Sequence, residues 1–245
     1  MNRQLVIFLL LFPLCFVTAQ ESAQEFAAKL DQTLEIPQGV TFASLSHFHA
    51  GKSKTYQIQI HRKNDYILYH ATGNRGEEVK ILYREQNVFF HNIMNGTIRK
   101  NDTRLRVLNT AFTTEDLRMG GYEAGYVPLI LAPKTLKNIL FYRISFTAQS
   151  PGAYEKIIVL LYSDNKLPYR IEFYNKSGEM EKKMIFSYDK IKFKNKTSTT
   201  QKEKLARLDI TDLKNGNSSV LKFLLHNQGI IAADGLFELP SLKRK

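Results

Sequence analysis

Residues 167–191, LPYRIEFYNKSGEMEKKMIFSYDKI, carry an apolar side chain at nearly every second position on either side of a short turn at Lys176-Ser177-Gly178. Tyr169, Ile171 and Phe173 alternate with Arg170, Glu172 and Tyr174, and Met180, Met184 and Phe186 follow the turn. Successive side chains of a strand point to opposite faces, so this period of two predicts a hairpin with one apolar and one wet face. The pattern recurs at 40–49, 55–62, 65–72, 78–85, 87–93, 96–101, 138–149, 154–164, 205–213 and 218–227, with Asn, Gly and Asp turns between. About eleven strands are therefore expected, in one meandering antiparallel sheet.

Little else is helical. In SAQEFAAKLDQTL, 22–34, Ser22 is a candidate N-cap with Glu25 three residues on, and Phe26, Leu30 and Leu34 form an apolar stripe. Pro37 and Gly39 stop that helix. Residues 112–136, FTTEDLRMGGYEAGYVPLILAPKTL, show a helix-start signal at Thr113/Thr114, with Glu115 and Asp116 in the first turn. Gly120, Gly121 and Gly125 and the proline-bracketed run VPLILAP follow, which predicts one or two short helices with flexible joints. Residues 192–204, KFKNKTSTTQKEK, read as a polar connection.

A sheet of this many strands curls, and its concave side must be filled. Two short helical pieces fill less than a second sheet would. Either the sheet closes on side chains alone, or it is a gutter covered by 117–131 with room for an apolar ligand. In a gutter, Tyr56, Ile58 and Ile60 would line one strand, Tyr142 and Ile144 another, and Tyr169, Ile171 and Phe173 a third. Leu117, Met119, Leu129, Ile130 and Leu131 would face them from the cover. Arg62 falls in phase with Tyr56, Ile58 and Ile60. A charge at a strand end ordinarily buries its stem and keeps its head in water.

The chain has 245 residues, 43% of them hydrophobic, enough for a sizeable core in one domain. MNRQ, then LVIFLLLFPLCFV, then Val17-x-Ala19 read as a cleavable signal peptide over 1–19, leaving a single exported domain over 20–245. Cys15 is the only cysteine and lies in that segment; its acylation is the alternative, giving a lipid-anchored protein. The net charge of +12 is spread along the chain, which fits a solvated basic surface or anionic lipid headgroups, and export argues against nucleic acid. His47-x-His49 lacks a third ligand at metal-site spacing, and neither a nucleophile elbow nor a phosphate loop is present. No enzyme activity, metal or cofactor is expected, and a monomer is.

Three stretches resemble the LolA-like family of outer-membrane lipoprotein-sorting proteins. They are FTTEDL at 112–117 after a polar NDT, the strand-turn-strand ending FYNKSGEMEK at 173–182, and Asp234-x-x-Phe237 before the terminal clip. The resemblance covers roughly residues 22–242 and implies an unclosed (half) antiparallel β-barrel with an N-terminal helix and a short helical lid over an apolar cavity. It implies a periplasmic carrier that shields the acyl chains of lipoproteins, or of another lipid, and takes them from an inner-membrane release transporter to an outer-membrane acceptor. The family's envelope-stress sensors and outer-membrane-anchored acceptors supply the alternative. Arg62 in IHRKNDYILYH matches the family's strand-end arginine that bonds the lid of the empty carrier, and Val127-Pro128-Leu129-Ile130-Leu131 matches its helical lid segment. Exposing acyl methylenes to water costs ~0.8 kcal/mol each, so a multi-chain anchor needs such a shield.

Overall fold

A computed structural model describes residues 22–238 except 86, 151, 196–197 and 231. The expected signal peptide at 1–19, Cys15 and the basic tail at 243–245 lie outside the described residues. The chain forms one 13-stranded sheet. In chain order the strands are β1 (Gly39–His49), β2 (Lys52–Lys63), β3 (Tyr66–Gly73), β4 (Glu78–Arg84), β5 (Asn87–Asn92), β6 (Thr97–Lys100), β7 (Tyr126–Leu136), β8 (Ile139–Ala148), β9 (Lys156–Tyr162), β10 (Pro168–Tyr174), β11 (Met180–Lys194), β12 (Thr199–Asp212) and β13 (Asn217–Asn227). Across the sheet they run β6-β5-β4-β3-β2-β1-β13-β12-β11-β10-β9-β8-β7. Sequential strands neighbour one another everywhere except at β6 and β7, while β1 closes onto β13. The sheet is thus a cyclic meander cut open at one seam: an unclosed half-barrel.

Helix α1 (Ala23–Leu34) starts on the expected capping box. Glu25 N donates to Ser22 Oγ at 3.2 Å, and Ser22 N to Glu25 Oε2 at 2.6 Å, satisfying two of the helix's orphan donors. Its stripe of Phe26, Ala27, Leu30 and Leu34 is buried against the inner face of the sheet. At the far end of the chain, Phe237 in a 3-10 turn (Asp234–Phe237) clips the outer face of β3 and β4 by packing with Leu68, Leu82 and Tyr66.

Three expectations need correction. The run 126–136 is not a helical lid: it is edge strand β7, paired with β8 from Tyr126↔Ala148 to Leu136↔Ile139. Prolines are tolerated there because an edge strand has one side on which a missing N–H breaks no ladder bond. Only Tyr122–Gly125 is helical in this region, as the single turn α2. The polar run 192–204 is not simply a connection either. β11 extends to Lys194 and β12 begins at Thr199, giving the longest hairpin of the sheet and a total of thirteen strands.

The chain crosses the open seam from β6 to β7 through 101–125, and this passage fills the far end of the trough. Asp116 organises it. Its Oδ2 accepts from Thr113 N at 2.7 Å, Thr113 Oγ1 at 2.9 Å and Lys182 Nζ at 2.8 Å, while Tyr154 Oη donates to Oδ1 at 2.6 Å. That turn drives Phe112 and Leu117, both fully buried, into the core like a wedge. Tyr69 Oη donates to Leu117 O at 2.6 Å, Tyr83 Oη donates to Thr114 O, and Arg106 pairs with Asp212. The helix-start signal at 113–116 is therefore a turn whose acid bonds into the sheet instead of extending a helix.

Candidate functional site

The inner face is packed, not hollow. Buried side chains from nearly every strand join α1 and the wedge in a single apolar cluster. Clefts of about 310 and 270 Å³ with largely polar walls lie at the far end, around Lys54 and Glu77 and around Arg106 and Asp212. The most apolar space lies at the mouth, the end where β1 begins and where β2 turns into β3 and β11 into β12. α1 lies across this mouth: Phe26 packs 6.1 Å from Tyr142 on β8, and the helix's other end meets Arg62 on β2.

Of the clefts that adjoin the last turn of α1, two share several lining residues. One, of about 70 Å³, is walled by Leu34, Ile36, Ile191, Phe193, Leu205 and Phe223. The other, of about 350 Å³, has the mixed walls Asp31, Arg62, Glu85, Arg118, Ile67 and Tyr83. Gln32, Glu35, Ile36 and Met119 line both. The two clefts are one trough partitioned by the end of α1 and by Met119. The apolar part is far below the roughly 300–1,000 Å³ of a formed ligand pocket, so a chain-like ligand enters only if the partition moves.

The partition is held by polar contacts at its margins. Arg62 donates from Nη1 to the Ile36 carbonyl, from Nη2 to Glu35, and from Nε to Asn64 O at 3.1 Å. Asp31 accepts the backbone N–H groups of Tyr122 at 3.0 Å and Glu123 at 3.1 Å, tying α1 to α2. Burial raises the Asp31 carboxyl above its ordinary pKa, opposed by those two N–H bonds. Between the ties, Met119, Gly120 and Gly121 all take positive φ, at 51°, 147° and 85°. For a buried methionine this left-handed backbone costs on the order of 1 kcal/mol, strain stored at the joint that separates the clefts.

Tyr56, Ile58, Ile60, Leu117, Met119, Ile144, Ile171 and Phe173 lie together in the inner cluster, with Ile130 and Tyr142 packed against it. Three residues fall elsewhere. Leu129 is 62% exposed on the free face of β7. Leu131 packs on the outer face with Phe141, Ile158 and Leu160. Tyr169 joins that outer cluster because the pairing of β10 with β9 slips between Pro168 and Arg170, turning Tyr169 away from the side of Ile171. Arg62 sits at the mouth with its guanidinium on the end of α1 rather than in water.

Two mouth residues were not read from the sequence. On β13, Ser219, Leu221 and Phe223 point inward with period two, but the pairing with β1 slips between Phe42 and Ala43, and His226 then faces inward as well. It is 2% exposed, and its Nδ1 lies 2.8 Å from Thr41 Oγ1. Burial holds its pKa below the ordinary histidine value, opposed in part by the Gln38 backbone. By contrast, His47 and His49 only stack, at 6.4 Å, with His47 Nδ1 3.0 Å from Ser219 Oγ. Among the described residues no three His, Cys, Asp or Glu side chains converge as a metal site would need, and no helix is long and apolar enough to cross a membrane.

A family model described as "-like: Uncharacterized protein" matches residues 92–244. The chain belongs to that family. Its fold is that of the LolA superfamily: a LolA superfamily protein from Nitrosomonas europaea superposes with a TM-score of 0.72 at 19% identity, covering 91% of this chain and 100% of the other. A protein domain from Vibrio parahaemolyticus, titled for outer membrane lipoprotein sorting, gives 0.68 at 14% identity, covering 90% and 98%. A DUF1329 family protein from Desulfovibrio piger gives 0.69 at 17%, covering 90% and 97%. No curated protein sequence matches the chain.

Proposed function

We propose that this LolA-like protein is a periplasmic carrier that takes acyl chains of lipoproteins, or of a related lipid, beneath α1 and delivers them toward the outer membrane. The observation that carries the reading is the partitioned trough at the mouth. A mostly polar latch at Arg62 and Asp31 and a glycine joint hold an apolar helix face over an apolar sheet face. The named relatives support the lipid assignment by fold, and the apparent export signal supports the compartment.

The energetics fit a multi-chain ligand. Lifting Phe26, Leu30, Leu34 and Ile36 off the sheet forfeits roughly 6–12 kcal/mol, at ~1.5–3 kcal/mol for each large apolar side chain. One long acyl chain of about fifteen methylenes recovers ~12 kcal/mol on burial, at ~0.8 kcal/mol per methylene. One chain roughly balances the opening, and two or three exceed it. Close balance suits a carrier, which must release as well as capture. Mass spectrometry of protein purified gently from its native envelope should find a two- or three-chain lipid or acylated protein in stoichiometric amount. Protein from the same source that is lipid-free and fails to take up a triacylated lipopeptide would defeat the reading.

A further inference from the structure

The smaller cleft contains a feature that a generic greasy pocket does not require. His226 Nε2 is buried and makes no hydrogen bond of normal geometry among the described residues, although the Gln38 backbone acts on the ring, while the same ring's Nδ1 lies 2.8 Å from Thr41 Oγ1. His226 lines the apolar cleft together with Thr41, Phe193, Leu205 and Phe223. A buried polar atom without a partner costs on the order of 1–3 kcal/mol, so its presence in an apolar wall calls for a purpose.

Two local irregularities place it there. The slip between β1 and β13 turns His226 inward. In addition, the end of β11, while still paired with β12, also pairs in parallel with β13, setting Phe193 opposite His226 with ring centroids 5.1 Å apart. The beginning of β12 is not paired with β13, and Leu205 and Lys204 line the cleft from there. Bulges and register breaks of this kind re-aim single side chains at sites. The ring is thus held on one side by a hydroxyl and packed edge-to-face with an aromatic ring, with Nε2 buried in the wall of the cleft.

We infer that the His226–Thr41 pair is a polar subsite within the lipid trough, which grips the neutral oxygen-bearing linkage, an ester or hydroxyl, at the root of an acyl chain. This rests on the lipid-binding reading above. The Thr41 hydroxyl donates to Nδ1, the ring's single proton then sits on Nε2, and Nε2–H donates to a carbonyl or hydroxyl oxygen entering from the mouth. The ring's low proton affinity keeps it a neutral donor, suited to an uncharged oxygen more than to a carboxylate or phosphate. Of the residues lining the cleft only Glu35, paired with Arg62, and Lys204 carry full charges. The cleft's small volume fits a linkage and the first few carbons, with the rest of the chain running where α1 now packs.

The test uses the full exported chain and three probes: dioleoylglycerol, which has neutral ester and hydroxyl groups; hexadecane, which has none; and palmitate, which carries a carboxylate. Each displaces a hydrophobic naphthylamine fluorophore from wild type, His226→Leu and Thr41→Val, and the imidazole nitrogen NMR signals of wild type are followed alongside. The expected result is a loss of roughly tenfold in dioleoylglycerol affinity for His226→Leu, with hexadecane unchanged and a smaller loss for Thr41→Val. In wild type, dioleoylglycerol should move the Nε2 signal and hexadecane should not; this readout stands even if a variant fails to fold. Equal treatment of dioleoylglycerol and hexadecane by all three proteins, with a still Nε2 signal, overturns the subsite and leaves the carrier reading intact. Preferred binding of palmitate with a protonated ring overturns the neutral-linkage assignment. Failure of wild type to bind any probe overturns both readings together.

Discussion

Arg62, at the mouth end of β2, donates to the backbone carbonyl of Ile36, two residues past the end of α1, and to the neighbouring Glu35. A side chain that belongs to the sheet therefore fastens the cover. The Glu35 partner is half exposed, so its ion pair is worth little after solvent screening; the charge-assisted bond to a sheltered carbonyl carries most of the effect.

Replacing that side chain should loosen the cover without disturbing the sheet. Arg62→Leu is expected to lower stability by about 1–2 kcal/mol in urea unfolding, because it leaves the Ile36 carbonyl without its donor. It should also raise the rate at which a hydrophobic fluorophore enters. A variant with unchanged stability and unchanged uptake would remove Arg62 from the latch.

The far end of the trough is expected to behave oppositely, as a fixed plug. Asp116 and Lys182 are both buried and bonded 2.8 Å apart. Lys182→Met strands a carboxylate that only Thr113 and Tyr154 then satisfy, with an expected loss of ~3–5 kcal/mol. Asp116→Asn combined with Lys182→Met should recover a large part of that loss, since no unpaired charge remains. Additive losses in the double variant, measured by chemical denaturation, would contradict the pairing.

Much of this architecture is legible in the sequence, and the misses share a cause. The Ser22/Glu25 capping box and the period of two locate α1 and most of the strands because each signal is local. Strand β7 was hidden by Pro128, Pro133 and the glycines before it, which read as breakers when the edge position that tolerates them is unknown. Tyr169 and His226 defeat the alternation rule, since an extra residue in their own strand, seen only against the neighbouring strand's register, decides which way they point. Asp116 shows the same limit: FTTEDL has the residues of a helix start, but a lysine 66 positions away makes it a buried turn. Leu129 follows from the edge strand, which exposes a face that a lid helix would have buried.

Acid should weaken the fold before it titrates the carboxylates. His47, His61 and His226 are each held below the ordinary histidine pKa chiefly by burial. The unfolded chain takes up protons at these positions near pH 6.5 while the folded chain does not, so stability is full above that value and falls as pH drops toward the folded pKa values. Asp31 and Glu115, raised by burial, act in the opposite sense but closer to the carboxylate range. Urea midpoints should therefore decline between about pH 7.5 and pH 5.5, and His226→Gln should flatten the decline. A midpoint constant over that interval would contradict the burial of these rings.

The joint at 119–121 should tolerate little stiffening. Gly121 has φ of 85°, where any other residue except asparagine is strained, so Gly121→Val is expected to cost more than 1 kcal/mol and to slow fluorophore entry. Unchanged entry kinetics in a folded Gly121→Val protein would show that the joint does not move during loading.

The central claim, that acyl chains enter by displacing α1 and its joint from the inner face, is tested most directly by hydrogen exchange on residues 20–245 with and without a bound triacylated lipopeptide. The expected result is faster exchange in residues 23–34 and 119–125 on loading, with the amides of β2, β11 and β13 unchanged or better protected. A lipopeptide that binds while α1 keeps or gains protection would contradict the account.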